Sequence, residues 1–170
     1  RKKRYHIRRL RDDNGVWVED NETMRSLIAD YFQLLFSSGV VVSDATVLNK
    51  VKPKVMRYMN ESLLAPYTAE EVKKALFSIG GLKAPGPDGL HAIFYKEIWP
   101  VMGPDLVREV LQAVNSGVIP EGWNTTTIVL IPKVDNPERI TQFRPISLCN
   151  VVYKVISKML ASRLKFYCLM

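Results

Sequence analysis

Lys133 and Arg144 are the residues whose types and spacing point most directly to chemistry. The run from Thr125 to Ile131 is β-branched and apolar and predicts a strand; Phe143 to Leu148 reads as a second extended segment. Paired as an antiparallel hairpin, these segments leave Lys133 and Arg144 flanking a ten-residue loop, at opposite shoulders of one ribbon. Two cations held close together repel unless an anion lies between them. A triphosphate suits the pair, because Lys supplies a compact point charge and Arg a planar fork of donors. On spacing alone, the plainer account of two surface charges on a hairpin is preferred.

A second candidate is the loop Lys83-Ala84-Pro85-Gly86-Pro87-Asp88-Gly89. It lacks the Gly-Lys-Ser/Thr ending of a phosphate loop. Two prolines fix φ and glycines permit close backbone approach, so the loop should be stiff with a fixed path. Such a loop suits a nucleic-acid backbone, with Lys83 on phosphate and Pro85, Gly86 and Gly89 shaping the contact. A plain connector between helices is the simpler alternative, and physics alone prefers it. A third candidate is the N-terminus: residues 1–11 hold seven Lys or Arg (Arg1, Lys2, Lys3, Arg4, Arg8, Arg9, Arg11) and no acid. A polyanion-binding arm and a solvated tail or localisation signal fit this segment equally.

The remaining candidates are weaker. Trp17, Trp99 and Trp123 read as core anchors, His6 and His91 have no triad or ligand partner, and Asp88 suits the Pro-Asp-Gly turn through its side-chain oxygen. Two-metal phosphoryl transfer needs carboxylates converging from strands, and the second half has no acid on a predicted strand. No metal site is therefore expected.

The elements that must position these groups are largely helical. Met24, Leu27, Ile28, Tyr31, Phe32 and Leu35 predict an amphipathic helix over 22–37, after a turn at 12–15 and a short strand at 16–18. A weaker helical pattern covers 45–60, broken near Pro53. Thr68 with Glu71 forms a capping box for a helix ended by Gly80-Gly81. A helix over 91–99 should stop at Pro100, and Pro104 should sit in the first turn of the next, which ends at Gly117. The last helix begins near Asn150, with Val152, Val155, Ile156, Met159, Leu160 and Leu164 on its apolar face.

Charge is polarised along the chain. The net charge of +7 equals the seven cations of residues 1–11, since the rest holds 17 basic and 17 acidic residues. Residues 12–123 carry 10 basic and 15 acidic groups, and 124–170 carry 7 and 2. Two basic regions around an acidic middle favour polyanionic partners. No apolar run approaches the ~18 residues of a membrane span, so no membrane is expected. The Arg-rich start has no apolar stretch behind it, which argues against a secretory signal and makes the sequons at Asn60 and Asn124 coincidental. Cys149 and Cys168 form no C-x-x-C pair, so a reducing compartment, nuclear or cytoplasmic, is the default.

Read in order, these segments resemble the plant branch of non-LTR (LINE-type) retrotransposon reverse transcriptases. The strings that carry the resemblance are Leu82 to Gly89, Ile128-Val129-Leu130-Ile131-Pro132-Lys133, Phe143-Arg144-Pro145-Ile146-Ser147-Leu148-Cys149-Asn150, Tyr153-Lys154, and Lys158 to Leu164. The resemblance implies an α+β fold, mostly helical, with a fingers-type β-hairpin at about 125–148 in an incomplete right-hand polymerase. It divides the chain into a basic arm and linker (1–21), a helical extension and fingers (22–123), and the fingers hairpin with the first palm helix (124–170). It places Lys133 and Arg144 on the triphosphate of an incoming dNTP and the Lys83 loop near the template. RNA template, DNA primer and Mg²⁺ are then partners of the intact enzyme. The family's palm motifs, with the catalytic aspartates, do not occur in this sequence, and Phe166 to Met170 departs from the family's continuation. A truncated element, a frameshift or a gene-model error each accounts for that. The 170 residues alone are expected to bind no metal and to synthesise no DNA; a non-catalytic nucleic-acid-binding remnant and a non-functional translated fragment are the alternatives.

Overall fold

The structure, a computed structural model, describes residues 7–39 and 55–168. The chain is α+β and about half helical, with two small antiparallel sheets. It divides into two compact units, one of residues 1–51 and 128–146, the other of residues 52–127 and 147–170.

The first unit begins with a hairpin that the sequence only half announced. Strand β1 (Leu10–Arg11) pairs antiparallel with β2 (Trp17–Val18), Leu10 facing Val18 and Arg11 facing Trp17. The Asp12 carboxylate accepts the Val16 N–H (2.7 Å), and Gly15 turns the chain at φ 81°, a region that glycine enters freely. Helix α1 (Asn21–Phe36) follows, capped by Asp20, whose carboxylate accepts the Thr23 N–H at 2.8 Å. Leu10, Met24 and Phe143 form the buried centre, with Ile7, Val18, Leu27, Ile28 and Leu130 packed around it.

The second unit is helical. It comprises α2 (Arg57–Leu63), α3 (Ala69–Ser78), α4 (Ala92–Glu97), α5 (Trp99–Ser116) and α6 (Val151–Cys168). Its core is built from Val72, Leu76, Val110, Val151, Val155 and Met159, all at 2% exposure or less. Each fully buried aliphatic side chain contributes about 2 kcal/mol through removal from water.

Local signals explain most boundaries. The capping box at Thr68 is present: its hydroxyl accepts from the Glu71 N–H, and the Glu71 carboxylate accepts from the Thr68 N–H. Gly117 ends α5 in the left-handed region, φ 72°. The helix predicted over 45–60 lies mostly outside the described residues; α2 is its described part and runs on to Leu63.

The prolines of α5 correct the sequence reading. Pro100 does not stop a helix; it lies in the first turn of α5, where a missing N–H is harmless, and the stop falls earlier, at Ile98. Pro104 lies inside α5 and not in its first turn. The helix continues through it, its buried stripe running from Gly103 through Leu106 and Val110 to Ala113. Gly103 is required there, because a Cβ would lie 2.8 Å from the Trp99 ring.

Strands β3 (Thr126–Pro132) and β4 (Phe143–Cys149) form a two-stranded sheet. Their inner stretch, 128–146, belongs to the first unit. The connecting loop is ordered by a 3-10 turn at Ile140–Gln142, with the Gln142 side-chain oxygen accepting the N–H groups of Glu138 (2.7 Å) and Arg139 (3.0 Å).

Candidate nucleic-acid interface

In the first unit, the hairpin register decides where the two cations stand. The Lys133 N–H donates to the Gln142 carbonyl at 2.8 Å. In an antiparallel ladder such a bond joins residues directly opposite, which sets Pro132 against Phe143 and Ile131 against Arg144. Alternation then puts Ile131, Lys133, Gln142 and Arg144 on one face and Leu130, Pro132 and Phe143 on the other. Burial agrees: Phe143 and Leu130 belong to the first unit's core, while Lys133 and Arg144 are exposed.

The two cations differ in how they are held. The Lys133 ammonium donates to the Thr141 carbonyl at 2.8 Å, which fixes it beside the turn that leads into β4. Arg144 has no hydrogen-bond or ion-pair partner among the described residues, and its five donors face solvent. Lys133 and Arg144 are thus two exposed cations on one face, one tethered and the other unpartnered among the described residues.

In the described part of the basic N-terminus, two of the cations are engaged by the protein itself. Arg1, Lys2, Lys3 and Arg4 lie outside the described residues. Arg9 and Arg11 both lie over the Trp17 ring, at 4.1 and 4.6 Å from its centroid. Arg9 is also 3.9 Å from Glu19, and Arg11 is 3.0 Å from Glu138. Arg8 is exposed and unpartnered among the described residues.

In the second unit, the Lys83 loop is clasped to the start of α6. Gly89 adopts φ 72°, and its N–H donates to the Gly86 carbonyl (3.1 Å), closing a turn. The Asp88 carboxylate accepts the Leu90 N–H at 3.0 Å, the local role its sequence suggests. Gly86 serves the protein's own packing: a Cβ there would collide with the Asn150 Oδ1 and N and lie 2.5 Å from the Cys149 carbonyl carbon. The Asn150 side chain accepts the Asp88 N–H (3.2 Å) and donates to the Gly122 carbonyl (3.1 Å). Lys154 donates to the Ala84 carbonyl at 2.7 Å, and His91 Nδ1 lies 2.9 Å from the Lys83 carbonyl. The Lys83 ammonium itself has no partner among the described residues.

Two further polar groups hold the second unit together. Arg163 forks onto Glu71 with bonds of 2.7 and 2.8 Å, donates to the carbonyls of Leu63 (3.1 Å), Ala65 and Pro66 (2.9 Å), and lies 3.6 Å over the Tyr67 ring. The guanidinium hydrogen bond holds the Glu71 carboxyl below its ordinary range. Lys96 donates to the carbonyls of Phe77 (3.0 Å) and Ile79 (2.6 Å), capping the C-terminus of α3. Neither role was legible: each partner lies 17 or more residues away from the cation, and sequence spacing reports only short separations.

Two curated relatives match most of the chain. One is the "Transposon TX1 uncharacterized 149 kDa protein" of Xenopus laevis, 32% identical over 154 residues, covering 90% of this chain and 12% of that protein. The other is the "Retrovirus-related Pol polyprotein from type-1 retrotransposable element R2" of Bradysia coprophila, 29% identical over 135 residues, covering 79% of this chain and 14% of that protein. Both are proteins of transposable elements. This homology supports a non-LTR retrotransposon origin for the chain, which spans about an eighth of the length of these relatives. No family model matches.

The Mg²⁺ that polymerase chemistry implies has no donor set in the described part of the chain. Among the described residues no group of three or more His, Cys, Asp or Glu comes together. No helix of the described residues is long and apolar enough to cross a membrane.

Proposed function

We propose that this chain is the fingers and first palm helix of an RNA-directed DNA polymerase of a non-LTR retrotransposon, of the branch whose plant members share the strings quoted above. Its part in the enzyme is to hold the template and the triphosphate of the incoming nucleotide. The observation that carries this reading is the placement of Lys133 and Arg144 on one exposed face of the β3–β4 hairpin, with the Arg144 fork unpartnered among the described residues. Similarity to a Pol polyprotein supports it further. Lys133, tethered to the Thr141 carbonyl, sets a point charge for a phosphate oxygen. Arg144 adds two parallel donors and orients the phosphate in their plane. The pair positions and neutralises; the transfer itself requires carboxylates that the described residues do not bring together.

The test is kinetic. Arg144→Ala, placed at the matching position of a full-length related polymerase, removes a charge-assisted contact contributing about 1.5–3 kcal/mol in all. KM for dNTP should rise by roughly ten- to a hundredfold, with template affinity unchanged. Unaltered nucleotide kinetics would remove the assigned role. The 170-residue chain, given primed RNA, dNTPs and Mg²⁺, should extend no primer.

A further inference from the structure

We propose that Asn150 is a positioning residue for Lys83, acting through the clasp that fixes the 83–89 loop; this rests on the reading of that loop as a template contact. Asn150 ends the segment that leads into α6, and its carbonyl accepts the Lys154 N–H (3.1 Å), so it occupies the N-cap position of that helix. An N-cap asparagine ordinarily turns its side chain onto the N–H groups of its own first turn. Here the side chain is committed elsewhere. Its oxygen accepts the Asp88 N–H and its nitrogen donates to the Gly122 carbonyl, so one amide ties together three separated segments.

The surrounding geometry serves the same end. The missing side chain of Gly86 lets the loop backbone lie directly on Asn150. One turn along α6, Lys154 holds the Ala84 carbonyl. The prolines and the Asp88 turn stiffen the loop internally, and Asn150 and Lys154 fix where the stiff loop sits. At its start is Lys83, exposed and unpartnered among the described residues. A lysine has four rotatable stem bonds, so its usefulness as a phosphate contact depends on where its backbone is anchored. His91 and Lys154 hold the start of the loop, and Asn150 completes the anchoring at its far end, at Asp88, without touching the phosphate itself.

The experiment is a double-mutant cycle on the full 170-residue chain, read as affinity for fluorescein-labelled single-stranded oligouridine RNA across a salt series. Lys83→Ala should weaken binding by about three- to fivefold, the loss of one exposed charge contact. It should also flatten the salt slope by about 0.7, the value for one phosphate on a single strand. Asn150→Leu removes both side-chain bonds and should reproduce both changes without altering a charge. The double variant should be no weaker than either single one, because the two residues act through one contact. Asn150→Gln keeps both an acceptor and a donor without altering a charge and should recover affinity toward the native value.

Additive losses, or an Asn150→Leu variant that binds as the native chain does, would overturn the positioning role while leaving the loop's RNA contact standing. An ineffective Lys83→Ala would instead overturn the reading of the loop, and this proposal with it. If Asn150→Leu does not fold, Gly86→Ala displaces the loop from the other side and takes its place in the cycle. Non-additivity with Lys83→Ala is then expected, and additivity is again fatal.

Discussion

Glu71→Ala should be among the most costly single substitutions in the second unit. Glu71 has two tasks in the structure. Its carboxylate completes the capping box on Thr68, and it receives both arms of the Arg163 fork at 2.7 and 2.8 Å. Loss of a capping contact costs about 1 kcal/mol. Removing the counter-charge of a fully buried pair costs about 3–5 kcal/mol. Here the side chains are 13% exposed for Arg163 and 31% for Glu71, so water screens part of that interaction. Arg163 also keeps its three carbonyl acceptors. About 2 kcal/mol for the pair and 1 for the cap give a loss of about 3 kcal/mol. For a unit of about 100 residues, with an unfolding entropy of about 2.1 cal/mol/K per residue, the melting temperature should fall by about 14 °C. Urea unfolding followed by far-ultraviolet circular dichroism measures the loss directly. A cost below about 1 kcal/mol would mean that the fork contributes nothing beyond the cap, and the anchoring argument would fail.

The same carboxylate predicts a pH dependence. Its folded pKa lies below the ordinary value of 4.5, chiefly through the Arg163 hydrogen bond. The stabilisation is therefore complete above about pH 4.5 and is lost as pH falls through the depressed folded value. Glu71→Gln should remove this acid-side slope and leave the neutral range flat; a native-like slope in that variant would assign the effect to other groups. Lys96→Met uncaps α3 at the Phe77 and Ile79 carbonyls and should cost about 1 kcal/mol in urea unfolding, since the side chain is half-buried. Gly117→Ala forces a side chain into φ 72° and should cost about 1 kcal/mol, measurable as a lowered unfolding midpoint.

What the sequence made legible was local. The Thr68 capping box, the Gly117 stop and the Asp88 turn each involve partners within three residues, so residue type and spacing are enough to state them. The β3–β4 hairpin was legible for a similar reason, because a β-branched run and a second extended segment around a polar loop have few other ways to satisfy their backbones. The hairpin face shared by Lys133 and Arg144 required the register, and one backbone bond at Gln142 supplies it. Strand β1 escaped notice because a two-residue strand leaves no periodicity, and its flanking cations read as tail. Asn150, Lys96 and Arg163 escaped for another reason: each bonds to backbone carbonyls or amides far along the chain, and a backbone group carries no sequence signature. Pro100 and Pro104 misled because a proline fixes φ at a helical value. It marks where a helix can begin or continue as readily as where one must end.

Among the described residues the β3–β4 ribbon has two strands, so each strand presents an outer edge that no neighbouring described strand covers. Uncovered edges invite another extended chain to add to them. The register that opposes Lys133 to Gln142 alternates inward-bonding and outward-facing amides along each strand. Pro132 and Pro145 both fall at outward-facing positions. Neither therefore removes a rung between the two strands, and each deletes one donor from an edge that would otherwise offer it. The same two rings that leave the ribbon's internal ladder whole also make it a poorer template for intruding strands, a safeguard for a hairpin on which Ile128, Val129 and Ile146 are partly exposed.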